Sequence, residues 1–225
     1  MYFPWAGFIS QLSMADTMIW LDDVEFSRRS FTARVQVKTN QGIRWMSVPV
    51  LGQGRSKIIS ALELADPLTD LRHRSLLKNA FASSVFKHEA VRVFDDAWSR
   101  ATFLEVLIAS STLLVEAVGM KMVPALRSSE MGVRLKGSAR ILELVKRVGG
   151  TTYITGHGAR QYLHHQDFED AGIQVEYMRY VTLPWSQSSG EFTPYVTGLD
   201  LVANVAPEER KEHLASAARF SGDLS

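Results

Sequence analysis

Two stretches carry side chains whose types and spacing suit chemistry. Asp22 and Asp23 are adjacent carboxylates at the end of the compact apolar run 17–21, and Thr155-Gly156-His157-Gly158-Ala159-Arg160 sets an imidazole and a guanidinium in a glycine-rich turn. In open α/β sheets ligands bind beyond the carboxyl ends of strands, so both stretches are site candidates. Gly156 and Gly158 let backbone N–H groups approach a ligand closely, and the helix start expected after them adds positive potential for an anion or carboxylate. The chemistry that fits is general-base catalysis without a covalent intermediate. His157 or Asp22, with Asp23 beside it, deprotonates an attacking amine, and Arg127 or Arg160 steadies an acyl oxyanion. Plainer readings stand beside these: one aspartate caps a turn while the other is solvated, the glycines serve a tight strand-to-helix turn, and His157 is structural.

Other chemistries are less well supported. The chain has no cysteine, which removes disulfides, thiolate metal sites and a cysteine nucleophile. Ser128, Ser129 or Thr155 with His157 as base would make a hydroxyl nucleophile, but no Gly-x-Ser-x-Gly elbow frames any of them. His164 and His165, adjacent on a helix, would point in different directions, and no His-x-x-x-His or H-E-x-x-H spacing occurs. Asp22 with Asp23 could hold Mg²⁺ beside a ligand phosphate. This is a secondary option, and no cofactor is assigned. Arg34 and Lys38 sit four apart in a β-rich run and share a face, which either receives an anion or is the wet side of a ribbon. Residues 51–57, with two glycines and two basic side chains, suit a mobile flap or an ordinary connector, and their spacing is not that of a P-loop.

The elements that would position these groups follow from periodicity. Residues 6–14 carry a short helical stripe, and 17–21 read as a buried strand. Two β-rich runs, 31–37 and 43–50, flank an Asn/Gly turn as a hairpin, and 58–64 read as another strand. Residues 66–119 turn helical, with Asp66-Pro67 opening the first helix, further segments at 85–98 and 102–118, and Gly119 as a stop. Residues 122–126, 139–148 and 151–154 form a strand, helix, strand unit of a parallel sheet, with Arg127-Ser128-Ser129 at the first strand's end. Residues 174–180 read as the last long strand.

The 225 residues fit one domain near its upper size limit or two small ones, with a formal charge of +1. That balance, without a dense basic run, gives no electrostatic case for nucleic acid. The most apolar region, 103–118, is interrupted by Glu105 and Glu116 and is too short to span a membrane. A cytoplasmic protein is the expectation.

Several separated segments resemble the WbqC-like family in order along the chain. They are Tyr2-Phe3-Pro4-Trp5-Ala6-Gly7-Phe8, Asp22-Asp23-Val24-Glu25-Phe26, Arg34 to Lys38 with Trp45-Met46-Ser47-Val48-Pro49-Val50, Arg72-His73, Arg127-Ser128-Ser129, the 155–163 turn, and Gln187 with Phe192 and Pro194. The resemblance implies an α/β fold with a Rossmann-like, mostly parallel sheet, a β-hairpin excursion and a helical covering subdomain over about 66–119, within a domain at 1–205. A polar tail follows at 206–225, expected as a loosely attached helix and frayed end. It also implies transfer of a small acyl or aminoacyl group, glycyl in type, in O-antigen, surface polysaccharide or specialised-metabolite assembly. The partners would be a small-molecule or carrier-bound acyl donor and a glycan or metabolite precursor. Trp5, Arg34, His73, Arg127, Ser128, Gly156, Gly158, Arg160 and Gln187 become substrate-binding candidates, and His157, Asp22 and Asp23 catalytic ones. Alternatives are a non-catalytic binding or scaffold protein and a nucleotide-dependent ligase or nucleotidylyltransferase. Family members open several residues earlier, with a short apolar strand running into His-Gln-Pro, whereas this sequence starts at Met1 inside the motif. The expectation is that the start lies upstream and that the strand at 17–21 has an unpaired position beside it.

Overall fold

The computed structural model describes residues 1–52, 57–180 and 183–214, and the backbone of 218–221. Most of the suspected flap, residues 53–56, lies outside the described residues.

The chain opens inside the core. Tyr2 and Phe3 are fully buried, and Phe3 stacks on Phe94 with ring centroids 5.2 Å apart. Phe3 adopts φ 40, in the left-handed region that a bulky residue occupies only when its surroundings over-determine it. Here its N–H donates to Ser110 Oγ at 3.1 Å. Helix α1 (Ala6–Leu12) buries Ala6, Ile9 and Leu12 and leads to strand β1 (Met18–Trp20). Strands β2 (Arg34–Thr39) and β3 (Gly42–Ser47) form the expected antiparallel hairpin, with Thr39 opposite Gly42. Gly42 takes φ 105, which glycine adopts without strain.

The helical layer comprises α2 (Thr69–Ala80), α3 (Lys87–Trp98) and α4 (Phe103–Ala117). Helix α4 starts with a full capping box, Thr102 Oγ1 accepting from Glu105 N–H while the Glu105 carboxylate accepts from Thr102 N–H. It ends at Gly119, φ 77. Strand β4 (Ala125–Arg127), helix α5 (Gly137–Arg147) and strand β5 (Thr152–Thr155) then run in sequence, followed by α6 (His165–Asp170), β6 (Gln174–Arg179), α7 (Gly198–Asn204) and β7 (Ala218–Ser221).

The chain is a mixed α/β structure whose described strands form three small sheets. β1 pairs in parallel with β4, Met18 opposite Ala125 and Trp20 opposite Arg127. β5 pairs in parallel with β6, and β7 adds an antiparallel edge to β6. Among the described residues the one strand partner of β1 is β4. β1 and β5 line a cavity of about 700 Å³ whose other walls come from α1, α4 and α5, with Met1 among its lining residues.

Three expectations are corrected. Residues 58–64 form a 3-10 turn, Ile59–Ala61, between isolated bridges at Ile58 and Leu64, because Ile59 and Ser60 donate singly to the carbonyls of Val24 and Asp22 instead of building a ladder. The helix expected after Gly156 is a five-residue 3-10 turn, His157–Gln161, and regular helix starts only at His165. Glycine disfavours a regular helix, and two glycines stand at its start. Residues 206–214 of the tail are not a loose helix: Arg210 is fully buried, donating to both carboxylate oxygens of Glu89 at 2.7 Å and to the carbonyls of Ala117, Val202 and Val205, and Ala218–Ser221 pair as β7 with β6.

Candidate functional site

Asp22 and Asp23 follow β1 directly, and the parallel pairing with β4 brings them against the residues that follow β4. Ser129 N–H donates to Asp22 Oδ1 at 3.0 Å, and Ser129 Oγ donates to Oδ2 at 2.7 Å. Ser128 Oγ donates to Asp23 Oδ1, and the Arg140 guanidinium, on the first turns of α5, forks onto both Asp23 oxygens at 2.6 and 2.7 Å. Burial alone would push the Asp23 carboxyl up, but the Ser128 and Arg140 hydrogen bonds and the Arg140 charge outweigh it and hold the group below the usual carboxylate range. Asp22 is 3 % exposed and Ser128 fully buried. The two carboxylates therefore tie the ends of β1 and β4 to α5. Arg127, at the last position of β4, is half-buried.

A second cluster surrounds the 3-10 turn after β5. Tyr177, fully buried on β6, lies parallel to the His157 imidazole, with centroids 6.0 Å apart and planes 11° from each other. The Arg160 guanidinium sits 4.7 Å from the same ring. The Tyr177 hydroxyl and His165 Nε2 are 2.7 Å apart. His157, Gly158 and Arg160 are exposed. An exposed imidazole and an exposed guanidinium thus both pack on one buried aromatic ring. Gly156 has a spatial reason to be glycine: a Cβ there would lie 3.1 Å from the Tyr180 hydroxyl, whereas one on Gly158 would meet open space. Trp5 belongs near this cluster, packing on Tyr180 at 4.7 Å and on the exposed Tyr195 at 5.7 Å.

The remaining candidates are engaged elsewhere. His73 lies between the Tyr2 hydroxyl, 2.8 Å from Nδ1, and the Ser47 carbonyl, 3.1 Å from Nε2. Burial drives its pKa down to about 4, against smaller opposing effects of the Ser47 bond and of Asp70 and Asp66. Gln187 accepts from Lys38 Nζ at 2.9 Å and donates to Asp200 Oδ1 at 3.1 Å, and Asp200 also takes the Trp185 indole N–H at 2.7 Å. On the same hairpin face Arg34 lies over Trp45 at 4.0 Å, and its Nε is buried without a hydrogen-bond partner among the described residues. Among the described residues no group of three His, Asp or Glu side chains is arranged to hold a metal ion.

Sequence reasoning missed Arg140, Ser129 as a partner of Asp22, and the Tyr177 with His165 pairing. Arg140 stands in a stretch read for its helix and its family resemblance, with no role given to the arginine, and Tyr177 in one read only for its strand. The signal for Arg140 was its place at the start of a helix that leaves a strand end rich in hydroxyls.

Comparison with known proteins adds a family. The description "WbqC-like protein family" matches residues 1–212, nearly the whole chain. The chain belongs to that family. This WbqC-like chain is also 28 % identical over 222 residues to a protein of Mycobacterium tuberculosis (strain ATCC 25618 / H37Rv) described as "Uncharacterized protein Rv1507c", an alignment covering 92 % of this chain and 91 % of the relative. No solved structure matches it significantly. Among the described residues no helix is long and apolar enough to cross a membrane.

Proposed function

We propose that this WbqC-like chain transfers a small acyl or aminoacyl group from a small-molecule or carrier-bound donor to an amine or hydroxyl of a glycan or metabolite precursor, in cytoplasmic assembly of a surface polysaccharide or specialised metabolite. The observation that carries the reading is that the exposed His157 and Arg160, just after β5, both pack on the ring of buried Tyr177. In this scheme the acceptor nitrogen or oxygen bonds to the acyl carbon as His157 takes its proton. Arg160 neutralises the carbonyl oxygen while it carries the charge, and collapse expels the donor's thiolate or alkoxide. The Tyr177 ring keeps both side chains in place before substrate arrives, which lowers the entropy lost on reaching the reactive geometry. Asp22 and Asp23, bound to Ser128, Ser129 and Arg140, then act as anchors of the neighbouring strand ends rather than as bases.

A second reading, a non-catalytic carrier or scaffold, is supported by the internal engagement of His73, Gln187 and both aspartates. A thermal-shift screen over coenzyme A and carrier-protein thioesters, amino acids, nucleotide sugars and nucleoside triphosphates with Mg²⁺ finds the donor. Ligand at a hundredfold its dissociation constant adds about 2.7 kcal/mol of stability. With that donor, His157→Ala is expected to lower kcat by roughly 10²- to 10⁴-fold, and Arg160→Ala by roughly 10²- to 10³-fold. Normal turnover in both variants would overturn the assignment, and binding without turnover in the unaltered chain would favour the carrier.

A further inference from the structure

The outer face of the β2–β3 hairpin carries a cation for which the described residues supply no anion. Val48 N–H donates to the directly opposite Ala33 carbonyl at 2.7 Å, so by alternation the next pair, Arg34 with Ser47, is a non-hydrogen-bonded one whose side chains stand close. Val35, Val37 and Met46 turn to the core from one face. Arg34, Gln36 and Lys38 share the other, with Ser47, Trp45 and Ile43 opposite them. That face is covered at one end only. Lys38 Nζ is taken by Gln187 and by the Glu191 carbonyl, whereas Phe31 and Trp45, 47 % and 43 % exposed, leave the Arg34 end open.

The Arg34 guanidinium lies 4.0 Å from the centre of the Trp45 ring, and the Phe31 ring stands 6.2 Å from Trp45 at 43°. Stacking uses only the flat face of a guanidinium and leaves its N–H donors, which lie in the plane, able to fork onto an oxyanion. The Arg34 Nε is buried and has no hydrogen-bond partner among the described residues. A buried donor left in that condition needs an explanation, and a bound ion is one. Arg72, Arg74, Arg140, Arg147 and Arg210 each reach an Asp or Glu carboxylate, whereas Arg34 joins no ion pair among the described residues. Arg140 Nε is also unpartnered, but both Asp23 oxygens answer its charge. Among the described residues Arg34 alone therefore combines a buried orphan N–H of a guanidinium with an unanswered charge. Ser47 is exposed directly opposite, which sets a hydroxyl donor beside the fork.

We infer that this end of the hairpin binds a small organic anion, its carboxylate or phosphate oxygens forked by Arg34 and bonded by the Ser47 hydroxyl, its apolar body lying against Phe31 and Trp45. Trp45 fixes the plane of the fork before the ligand arrives. A water could satisfy the Nε donor, but only an anion also answers the charge. The site stands apart from the His157 turn. Val35, Val37 and Met46 beneath it belong to one cluster of buried side chains, and Ala159 and Tyr177 of the turn's surroundings to another. Binding there requires neither acyl transfer nor the His157 and Arg160 pair.

The test follows the Arg34 Nε–H and Trp45 indole N–H resonances of the unaltered chain during titration with phenyl phosphate, benzoate and neutral benzyl alcohol. Saturable displacement of both resonances by phenyl phosphate or benzoate is expected, and the tighter of the two identifies phosphate or carboxylate as the group the site takes. Arg34→Lys keeps the charge but loses the fork, and is expected to weaken that binding by roughly tenfold. Arg34→Gln, which also removes the charge, is expected to abolish it, with the Trp45 resonance reporting that the hairpin remains folded. Trp45→Leu is expected to weaken binding by roughly threefold to tenfold. The double variant His157→Ala with Arg160→Ala is expected to bind as the unaltered chain does, so a failure here and a failure of the acyl-transfer reading are separate results. Benzyl alcohol bound as tightly as benzoate, a response to both anions that rises without saturating, or equal binding in Arg34→Lys overturns the inference. So does loss of binding in the double variant, since the anion would then sit at the His157 turn.

Discussion

Asp23 and Arg140 show how much a single contact can fix. The fork from Arg140 reaches across from α5 to the end of β1, and its loss leaves a partly buried carboxylate without its cation. Arg140→Ala is expected to lower unfolding free energy by about 2 kcal/mol, read as a shift in the urea midpoint at unchanged slope. His73 makes the opposite kind of residue, one kept neutral. Its folded pKa, about 4, lies below the ordinary 6.5, so the unfolded chain takes up the proton first as pH falls. The contribution is complete above about pH 6.5 and is lost progressively down to about pH 4, in all about 3 kcal/mol. Denaturant titrations between those limits should show stability rising with pH, and the slope should flatten in His73→Gln. A slope equal in both proteins would show that the burial of His73 does not govern it.

Among the elements, α4 is the most self-contained. Thr102 and Glu105 satisfy each other's backbone donors before any tertiary contact forms, so Thr102→Ala should cost about 1 kcal/mol, measurable as a lower thermal midpoint. Local elements of this kind were legible in the sequence: the capped helix with its Gly119 stop, the hairpin closed by Gly42, and the strand that delivers Asp22 and Asp23 to its carboxyl end. Elements fixed by distant partners were not. Nothing local in residues 58–64 reveals that their N–H groups are taken one at a time by Val24 and Asp22. The alternation in 174–180 marks a strand but cannot show that Ala218–Ser221 pairs with it. The candidate site divides in the same way. Its glycine-rich turn and acidic pair could be read from residue types, whereas the grip of Ser128 and Arg140 on Asp23 joins residues more than a hundred positions apart.

For the whole molecule, the decisive contacts join the two ends of the sequence. Ser10 Oγ donates to the Leu214 carbonyl at 3.0 Å, the Gly198 N–H donates to the Pro4 carbonyl at 2.8 Å, and Arg210 closes the helical layer between α3, α4 and α7. A Cβ on Gly198 would come within 2.7 Å of Ile9 Cδ1 and 3.0 Å of the Pro4 carbonyl, so α7 and the opening loop meet at backbone distance. Arg210→Ala removes a fully buried guanidinium together with the partner of Glu89 and should destabilise by about 3 to 5 kcal/mol, seen in equilibrium unfolding with urea.

Arg210 also sets a clock on synthesis. The core takes in Tyr2 and Phe3 near the amino end, yet the side chain that locks α3 against α4 and α7 is translated about ninety positions after α4 ends at Ala117. At about 5 to 20 residues per second, a nascent chain holding all of α2, α3 and α4 waits on the order of ten seconds for its fastening. Through that interval its apolar helices lack part of the layer that buries them, so the elongating polypeptide is more exposed to aggregation than the released one.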